Sequence, residues 1–466
     1  MVGFNYKHNR GHRNVLKQWL CIEVIVMKAS NYNFFFPYEP DDSKLIAYNS
    51  FSNALALVDK SKHEMLQQFI GAGVPIDDEE FAKQLYVGKF VTDSDCNELD
   101  LIRFRMLQSR YNNNALSLTI APTADCNFRC AYCYEKDVIR PDYMSADVKD
   151  AIIKLVEQHA KTISNLSVTW FGGEPLMNLD MVKKISDRLI NLCEKENIVY
   201  RSNMVTNGYL LTRETVQLLN ELKISSLQIT LDGCENVHDM RRPLSDGSPT
   251  FETIIHNLET CIDILPHVSL RVNIDKHNVA SGREVWNILK DKGLLDKVKP
   301  YLGKVVSITD EKSKSNCLDT CAFSQEDFNF YSEFYSDNMY MGRYPRGLRN
   351  YCGADSISAY TIAADGRVYK CWHDLGDHSN CVGSILECPD VDANEALRLK
   401  YILFDPTTDK TCSQCKLLPV CMGGCPYDRI HSVDASSNVC SIYKFTLNNF
   451  LSTISQRLKQ SVNDKV

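Results

Sequence analysis

The sequence has no apolar run near the roughly 18 residues that a membrane-spanning helix needs, so no helical membrane segment is expected. It has no excess of positive charge. Against 52 Lys and Arg stand 59 Asp and Glu, a net charge of −7, so whole-protein attraction to nucleic acid or an anionic membrane is not expected. It has no internal repeat and no low-complexity stretch. A convincing export signal is also missing. The N-terminal MVGFNYKHNRGHRNVLKQWLCIEVIVMKAS begins basic and holds a short apolar stretch, but Glu23 interrupts it and no small-residue cleavage site follows. Residues 1–26 are therefore read as a disordered extension, with Met27 as a second candidate start, and the protein as cytoplasmic.

Cysteine is what the chain has in quantity, with 19 among 466 residues. In a small secreted protein these would suggest a disulfide framework. In a long chain without an export signal, clustered thiols read as metal ligands. The length implies two to four domains, and 44% hydrophobic with 24% charged residues is the composition of a soluble globular protein.

Three regions differ in pattern. Over 27–113, short β-like runs (NYNFFF, KLIAYNS, ALALVD) precede helical patterns around Glu64–Gly71, Asp78–Phe90 and Asn97–Gln108, which suggests a small α+β module. Over 114–310, six strand-like runs (ALSLTIAPT, LSVTWFGGEP, VYRSNMVTNG, LQITLDG, VSLRVNID and VKPYLGKVVSI) are separated by helical stretches. That alternation predicts βαβ crossovers and a parallel sheet closing as a partial barrel. In such sheets the chemistry lies beyond the carboxyl ends of the strands. Residues 311–348 read as a linker. Over 349–443 periodicity weakens while cysteines accumulate, as expected of a small domain built on metal sites, and 444–466 reads as a terminal helix and tail.

The chemistry is concentrated in DCNFRCAYCYE, where Cys126, Cys130 and Cys133 follow C-x3-C-x2-C spacing. Three thiolates hold three corners of a four-iron, four-sulfur cluster and leave one iron open for a ligand. Zinc, the competing reading, generally takes four ligands, and this loop has no neighbouring histidine. At the end of the second strand-like run stands Gly172-Gly173-Glu174-Pro175. Its glycines permit close backbone approach, and Glu174 can accept hydrogen bonds from an ammonium group.

Together these residues resemble the radical SAM superfamily: the three cysteines, Tyr132 before the last of them, and the GGEP run. The resemblance implies that the open iron is chelated by the amino and carboxylate groups of S-adenosylmethionine. It also implies that reductive cleavage yields a 5′-deoxyadenosyl radical that takes hydrogen from substrate. By the same likeness, GGEP contacts the methionine amino group, Tyr132 lies near the adenine, and Thr206, Asn207, Thr230 and Arg241 match positions near the ribose or carboxylate. A reductant such as flavodoxin or ferredoxin is implied as partner.

A second cysteine set follows. Cys352 precedes Gly366 and Cys371, and Cys412, Cys415, Cys421 and Cys425 run C-x2-C-x5-C-x3-C ahead of Cys440. Two zinc ribbons are the alternative, but the pattern resembles the SPASM extension of radical SAM enzymes that modify peptides and proteins. The resemblance implies two auxiliary clusters. One is held by Cys412, Cys415, Cys421 and Cys440. The other is held by Cys352, Cys371 and Cys425, with its fourth iron open or closed by Cys317 or Cys321. Cys21, Cys96, Cys193, Cys234, Cys261, Cys381 and Cys388 fit no ligand spacing and read as structural.

Two enzyme readings fit: a maturase forming thioether or carbon–carbon crosslinks in a ribosomally made precursor peptide, and an anaerobic sulfatase-maturing enzyme making formylglycine. An iron–sulfur redox or sensor protein is the third reading. Sulfatase-maturing enzymes carry an aspartate directly after the cysteine matching Cys371, where this chain has Trp372, with Asp374 three residues on. The 27–113 module resembles leader-binding domains of peptide maturases, where a leader adds a strand to a sheet edge. Deleting Met1–Asn113 is expected to weaken peptide binding and to spare basal cofactor cleavage. Asp374, His373 and Tyr360 are the candidates for a general base.

Overall fold

The computed structural model describes residues 27–306, 315–335, 342–386, 393–431 and 439–463. The expected extension over 1–26, with Cys21, and Cys388 lie outside these residues.

The chain opens with short strands, β1 (Met27–Ala29), β2 (Asn33–Pro37), β3 (Lys44–Asn49), β4 (Ala54–Asp59) and β5 (Val91–Asp93). Strands β2, β3 and β4 form an antiparallel sheet, and β1 pairs with β5. Helices Lys60–Ala72, Glu79–Val87 and Glu98–Arg110 complete the module. One face of the three-stranded sheet is a docking face within the molecule. Its Tyr38, Ile46 and Tyr48 pack on Leu417, Val420, Leu447 and Leu451 from the C-terminal third of the chain.

Six parallel strands follow: β6 (Ala115–Ile120), β7 (Asn165–Trp170), β8 (Val199–Val205), β9 (Ile224–Thr230), β10 (His267–Ile274) and β11 (Val298–Lys304). Each lies beside its sequence neighbour. A parallel neighbour cannot be reached by a hairpin, so every connection is a crossover carrying helix. The intervening helices include Ala146–His159, Leu179–Glu196, Arg213–Glu221, Phe251–Cys261 and Ser281–Asp291. Ser145 and Thr212 cap two of them by accepting from Val148 and Thr215 amides.

Strand alternation divides the barrel into two faces. Leu116, Leu118, Ile120, Val168, Trp170, Leu270 and Val272 are buried against the helices. Between them, Thr119, Thr169, Asn203, Arg271 and Asn273 occupy the opposite, lumenal face.

The sheet does not end at β6. Strand β12 (Ala359–Ile362) runs parallel beside it, Tyr360 opposite Leu118, and β13 (Arg367–Tyr369) and β14 (Gly383–Ser384) extend the sheet antiparallel to nine strands. The cysteine-rich region is thus built onto the barrel's first strand rather than tethered to it. The expected linker over 311–348 also needs correcting. It contains the helix Thr320–Phe334, because Phe328 packs edge-on against Phe450 of the terminal helix Tyr443–Asn463, with ring centroids 5.2 Å apart. Among the described residues no helix is long and apolar enough to cross a membrane.

Candidate cluster and cofactor site

The three-cysteine loop leaves the carboxyl end of β6 and is held by backbone pairing on both sides. The Arg129 and Ala131 amides donate to the Pro243 and Arg241 carbonyls, the Ser245 amide donates to Asn127, and Phe128 bridges Leu244. On the other side the Glu174 amide donates to the Asp125 carbonyl at 2.8 Å. That approach explains the double glycine. Gly172 has φ +104, and a Cβ on Gly173 would stand 2.1 Å from the Asp125 carbonyl oxygen. Neither the backbone nor its partner can yield cheaply there. Gly173→Ala is expected to cost roughly 3 kcal/mol, the upper end for overpacking, and to lower the iron bound per chain. Wild-type iron content and melting temperature in this variant would contradict that.

Glu174 is 1% exposed and its carboxylate is engaged within the protein. Oε1 accepts from the Leu176 amide at 3.0 Å and the Thr206 hydroxyl at 2.7 Å, and Oε2 accepts from the Asn207 amide at 2.7 Å. It therefore ties the end of β7 to the end of β8, with Pro175 opening the short 3-10 turn Pro175–Asn178. Asn207 in turn donates to Asn127 inside the cysteine loop at 2.8 Å. Burial raises the Glu174 pKa, and these donors pull it back down.

Tyr132 is fixed by residues that sequence reasoning missed. Its hydroxyl accepts from Arg242 at 2.8 Å and from Asn273 at 3.0 Å, and the Arg241 guanidinium lies over its ring at 5.1 Å. Arg241 is held between Asp232 at 3.1 Å and Asp275 at 2.8 Å. Thr230, 7% exposed, stands on β9 opposite Arg271. The strand-end run LDG was the one signal for Asp232; nothing local singles out Asn127, Arg242, Asn273 or Asp275.

The thiols fall into three electrostatic groups. Cys126, Cys130 and Cys133 act on one another. So do Cys352, Cys371 and Cys425, and so do Cys412, Cys415, Cys421 and Cys440. In the last group Gly423 and Gly424 both have positive φ, and a Cβ on Gly424 would stand 1.8 Å from the Val439 carbonyl oxygen beside Cys440. Cys317 and Asp319 lie near Lys304, as do Cys425 and Asp428, whereas Cys321 is exposed. Cys193, Cys261 and Cys381 are buried, and Cys96 and Cys234 are half-buried.

Burial pushes the Cys126, Cys130, Cys133, Cys352, Cys371, Cys412, Cys421 and Cys425 thiols up, Cys133 and Cys412 to about 12, so a thiolate here needs cationic partners, as cluster irons are. Amides already point at sulfur, Phe128 to Cys126 and Ala354 to Cys352, each at 3.4 Å. Both features fit iron–sulfur ligation.

The turn after Cys371 clasps the barrel mouth. Trp372 stacks on Phe171 at 5.1 Å, just before the double glycine, and His373 stacks on Tyr134 at 4.6 Å, just after Cys133. Asp374 is fully buried, accepts from the Tyr401 hydroxyl at 2.7 Å and lies 3.4 Å from His431. Tyr360 is not brought to this mouth. It faces the helix side of the sheet and lines a separate cavity of about 380 Å³ with Leu155, Lys370 and Arg398.

A parallel six-stranded partial barrel with three thiols beyond its first strand and a glycine-rich turn beyond its second defines a radical SAM domain, and residues 120–289 match the Radical SAM superfamily. The chain therefore carries a radical SAM domain, of the family that binds a four-iron, four-sulfur cluster and S-adenosylmethionine. It is related to sulfatase-maturing and peptide-modifying members.

A cysteine-type anaerobic sulfatase-maturating enzyme of Clostridium novyi is 21% identical over 343 residues, 67% of this chain and 88% of that protein. Two further curated relatives are matched over only 46% and 40% of their own lengths. Among solved structures, anSMEcpe with bound AdoMet and Cp18Cys peptide superposes with TM-score 0.57 at 20% identity, over 75% of this chain and 99% of that one. Streptococcus suis SuiB bound to precursor peptide SuiA superposes with TM-score 0.50 at 16% identity, over 90% and 99%. At these identities the structures establish the fold.

Proposed function

We propose that the enzyme matures a ribosomally made precursor peptide, forming a thioether or carbon–carbon crosslink. The observation that carries this reading lies directly after Cys371. Trp372 occupies the position where sulfatase-maturing enzymes are expected to carry an aspartate, and it stacks on Phe171. Asp374 is committed to Tyr401 and His431. Sulfatase maturation is the second reading, favoured by the Clostridium novyi relative. SuiB, which was solved with its precursor peptide and spans 90% of this chain, supports a peptide substrate. The 27–113 module is assigned to leader binding, 114–310 to the radical SAM barrel and 349–443 to the auxiliary clusters.

In this reading Cys126, Cys130 and Cys133 hold the cofactor-binding cluster. Cys352, Cys371 and Cys425 hold one auxiliary cluster, and Cys412, Cys415, Cys421 and Cys440 hold the other. When bound, the first cluster and S-adenosylmethionine supply the 5′-deoxyadenosyl radical. The protein's own part is positioning. The Gly172–Pro175 turn and the Thr206-Asn207 pair shape the rim where the cofactor lies. Tyr132 is braced by Arg242 and Asn273 with the Arg241 guanidinium over its ring, and Thr230 and Arg241 are assigned to the ribose or carboxylate of the cofactor.

The test pairs the purified enzyme with short cysteine-rich or repeat-bearing peptides encoded beside it, using dithionite, flavodoxin or ferredoxin as reductant. A peptide lighter by two hydrogens is the expected product; conversion of a sulfatase peptide alone would select the second reading. Cys412→Ala is expected to keep 5′-deoxyadenosine formation while peptide product falls to background. Loss of both, or of neither, would remove the separate role given to the distal cluster.

A further inference from the structure

The helix side of the sheet extension holds a cavity of about 380 Å³ that none of the chemistry above uses. Strand alternation builds its floor. Tyr360 and Ile362 of β12 and Val368 of β13 line it, and Lys370, next in phase after Val368, does too. Leu155 of the helix Ala146–His159, and Glu395, Arg398 and Ile402 of the helix Glu395–Leu403, complete the wall. Gly383 on β14 is paired with Val368, so the two point to the same face. A Cβ added at Gly383 would meet no atom within 4 Å. The space at that wall is open rather than filled by a neighbouring side chain.

The lining is mostly aliphatic, and one buried charge stands in it. Lys370 is 4% exposed. Its Nζ donates to the Ser356 carbonyl at 2.5 Å and the Ala359 carbonyl at 2.8 Å, both neutral acceptors. An ammonium carries three N–H groups, so one is left over. Among the described residues no carboxylate pairs with Lys370. Glu395 and Arg398 are more exposed and satisfy each other through two bonds of 2.7 Å. The wall therefore keeps one net positive charge. A buried charge without a partner is costly, and an anion entering the cavity would offset that cost.

We propose that this cavity binds an amphipathic monocarboxylate, its apolar body in the aliphatic space and its carboxylate on Lys370. The volume suits such a ligand. Small-molecule sites span roughly 300–1,000 Å³, and an apolar void of about 150 Å³ already admits benzene. A dianion such as a phosphate ester fits less well, because Glu395 lines the same wall. A free short-chain acid and the apolar C-terminal residue of a peptide carry this same chemistry. The proposal does not depend on the peptide reading given above. Lys370 directly precedes Cys371, so an occupant would lie against the strand that leads into the auxiliary loop.

The experiment is calorimetric titration of anaerobically reconstituted full-length holoenzyme with two acids, octanoate and N-acetyl-Gly-Phe. Wild type is expected to bind at least one of them with Kd below about 1 mM. Octylamine, octan-1-ol and the amide of N-acetyl-Gly-Phe are expected to bind roughly tenfold more weakly or worse. Tighter binding of octanoate identifies a free acid as the source, tighter binding of N-acetyl-Gly-Phe a peptide C-terminus, and either supports the site. Lys370→Met, which removes the charge, is expected to weaken the acid roughly tenfold or more. Gly383→Phe, which fills the space from β14, is expected to do the same with iron content and 5′-deoxyadenosine formation unchanged. It keeps the test alive should Lys370→Met fold poorly. No binding of either acid to wild type overturns the proposal, as does equal binding of octan-1-ol. Acid binding at wild-type affinity in Gly383→Phe overturns it as well. A Lys370→Met protein that loses iron yet binds the acid as wild type does would overturn it in favour of a role for Lys370 beside the auxiliary thiols.

Discussion

Replacing Cys126 by alanine is expected to abolish reductive cleavage of S-adenosylmethionine, and Cys130→Ala and Cys133→Ala are expected to do the same. In the proposed ligation each thiolate would hold one iron, and losing one would leave a cluster with two open corners in place of the single corner meant for the cofactor. The loss should be roughly a thousandfold or more, about 4 kcal/mol of barrier, read as 5′-deoxyadenosine formed with dithionite. The geometry separates this effect from misfolding. The loop is held through backbone amides and carbonyls from Asp125, Arg129, Ala131 and Ser245 rather than through the thiols. The variants should therefore keep wild-type far-ultraviolet circular dichroism and melting behaviour. A Cys126→Ala protein that cleaves cofactor at the wild-type rate would refute the assignment of this loop.

The barrel was legible in the sequence because each of its strands carries its own signal. LSVTW and LQIT, rich in β-branched and apolar residues, end in turn residues that the chain cannot place elsewhere, and the structure puts β7 and β9 there. The three-cysteine spacing and the GGEP run were legible for a similar reason: they are local. What was not legible is what depends on distant partners. Strand β12 has four residues, AYTI, and becomes a strand only because β6 offers its free edge. Asn273 and Arg242 belong to the site only because the barrel closes around Tyr132. Trp372 looked like the absence of an aspartate, yet Phe171 gives it a positive role in seating the auxiliary loop on the barrel mouth. Glu174 shows the same limit from the other side. Its place in GGEP is readable, but its three protein donors, drawn from two strand ends, are not.

The packing of the N-terminal module argues against a deletion of Met1–Asn113 that spares cofactor cleavage while weakening peptide binding. Arg110, the last residue of its third helix and 1% exposed, is driven into the cysteine-rich region. There it donates to the Ile402 carbonyl at 3.0 Å, to Phe404 and to Asn350, and lies 4.0 Å from Asp355. Asp355 sits in the turn after Cys352 and is shared with Arg429 at 2.9 Å, four residues after Cys425. Removing one partner from a buried charge network typically costs 3–5 kcal/mol, so Arg110→Ala is expected to lower unfolding free energy by about 4 kcal/mol in denaturant melts. Deleting residues 1–113 should cost more, because it also strips Tyr38, Ile46 and Tyr48 from Leu417, Val420, Leu447 and Leu451. The truncated chain is then expected to lose auxiliary iron and solubility before any effect on peptide binding can be read. A soluble truncated protein with full iron and wild-type melting behaviour would show that the module is only perched on the enzyme. If the buried network behaves as expected, leader binding has to be probed by point changes at the sheet edges, with Arg110 left in place.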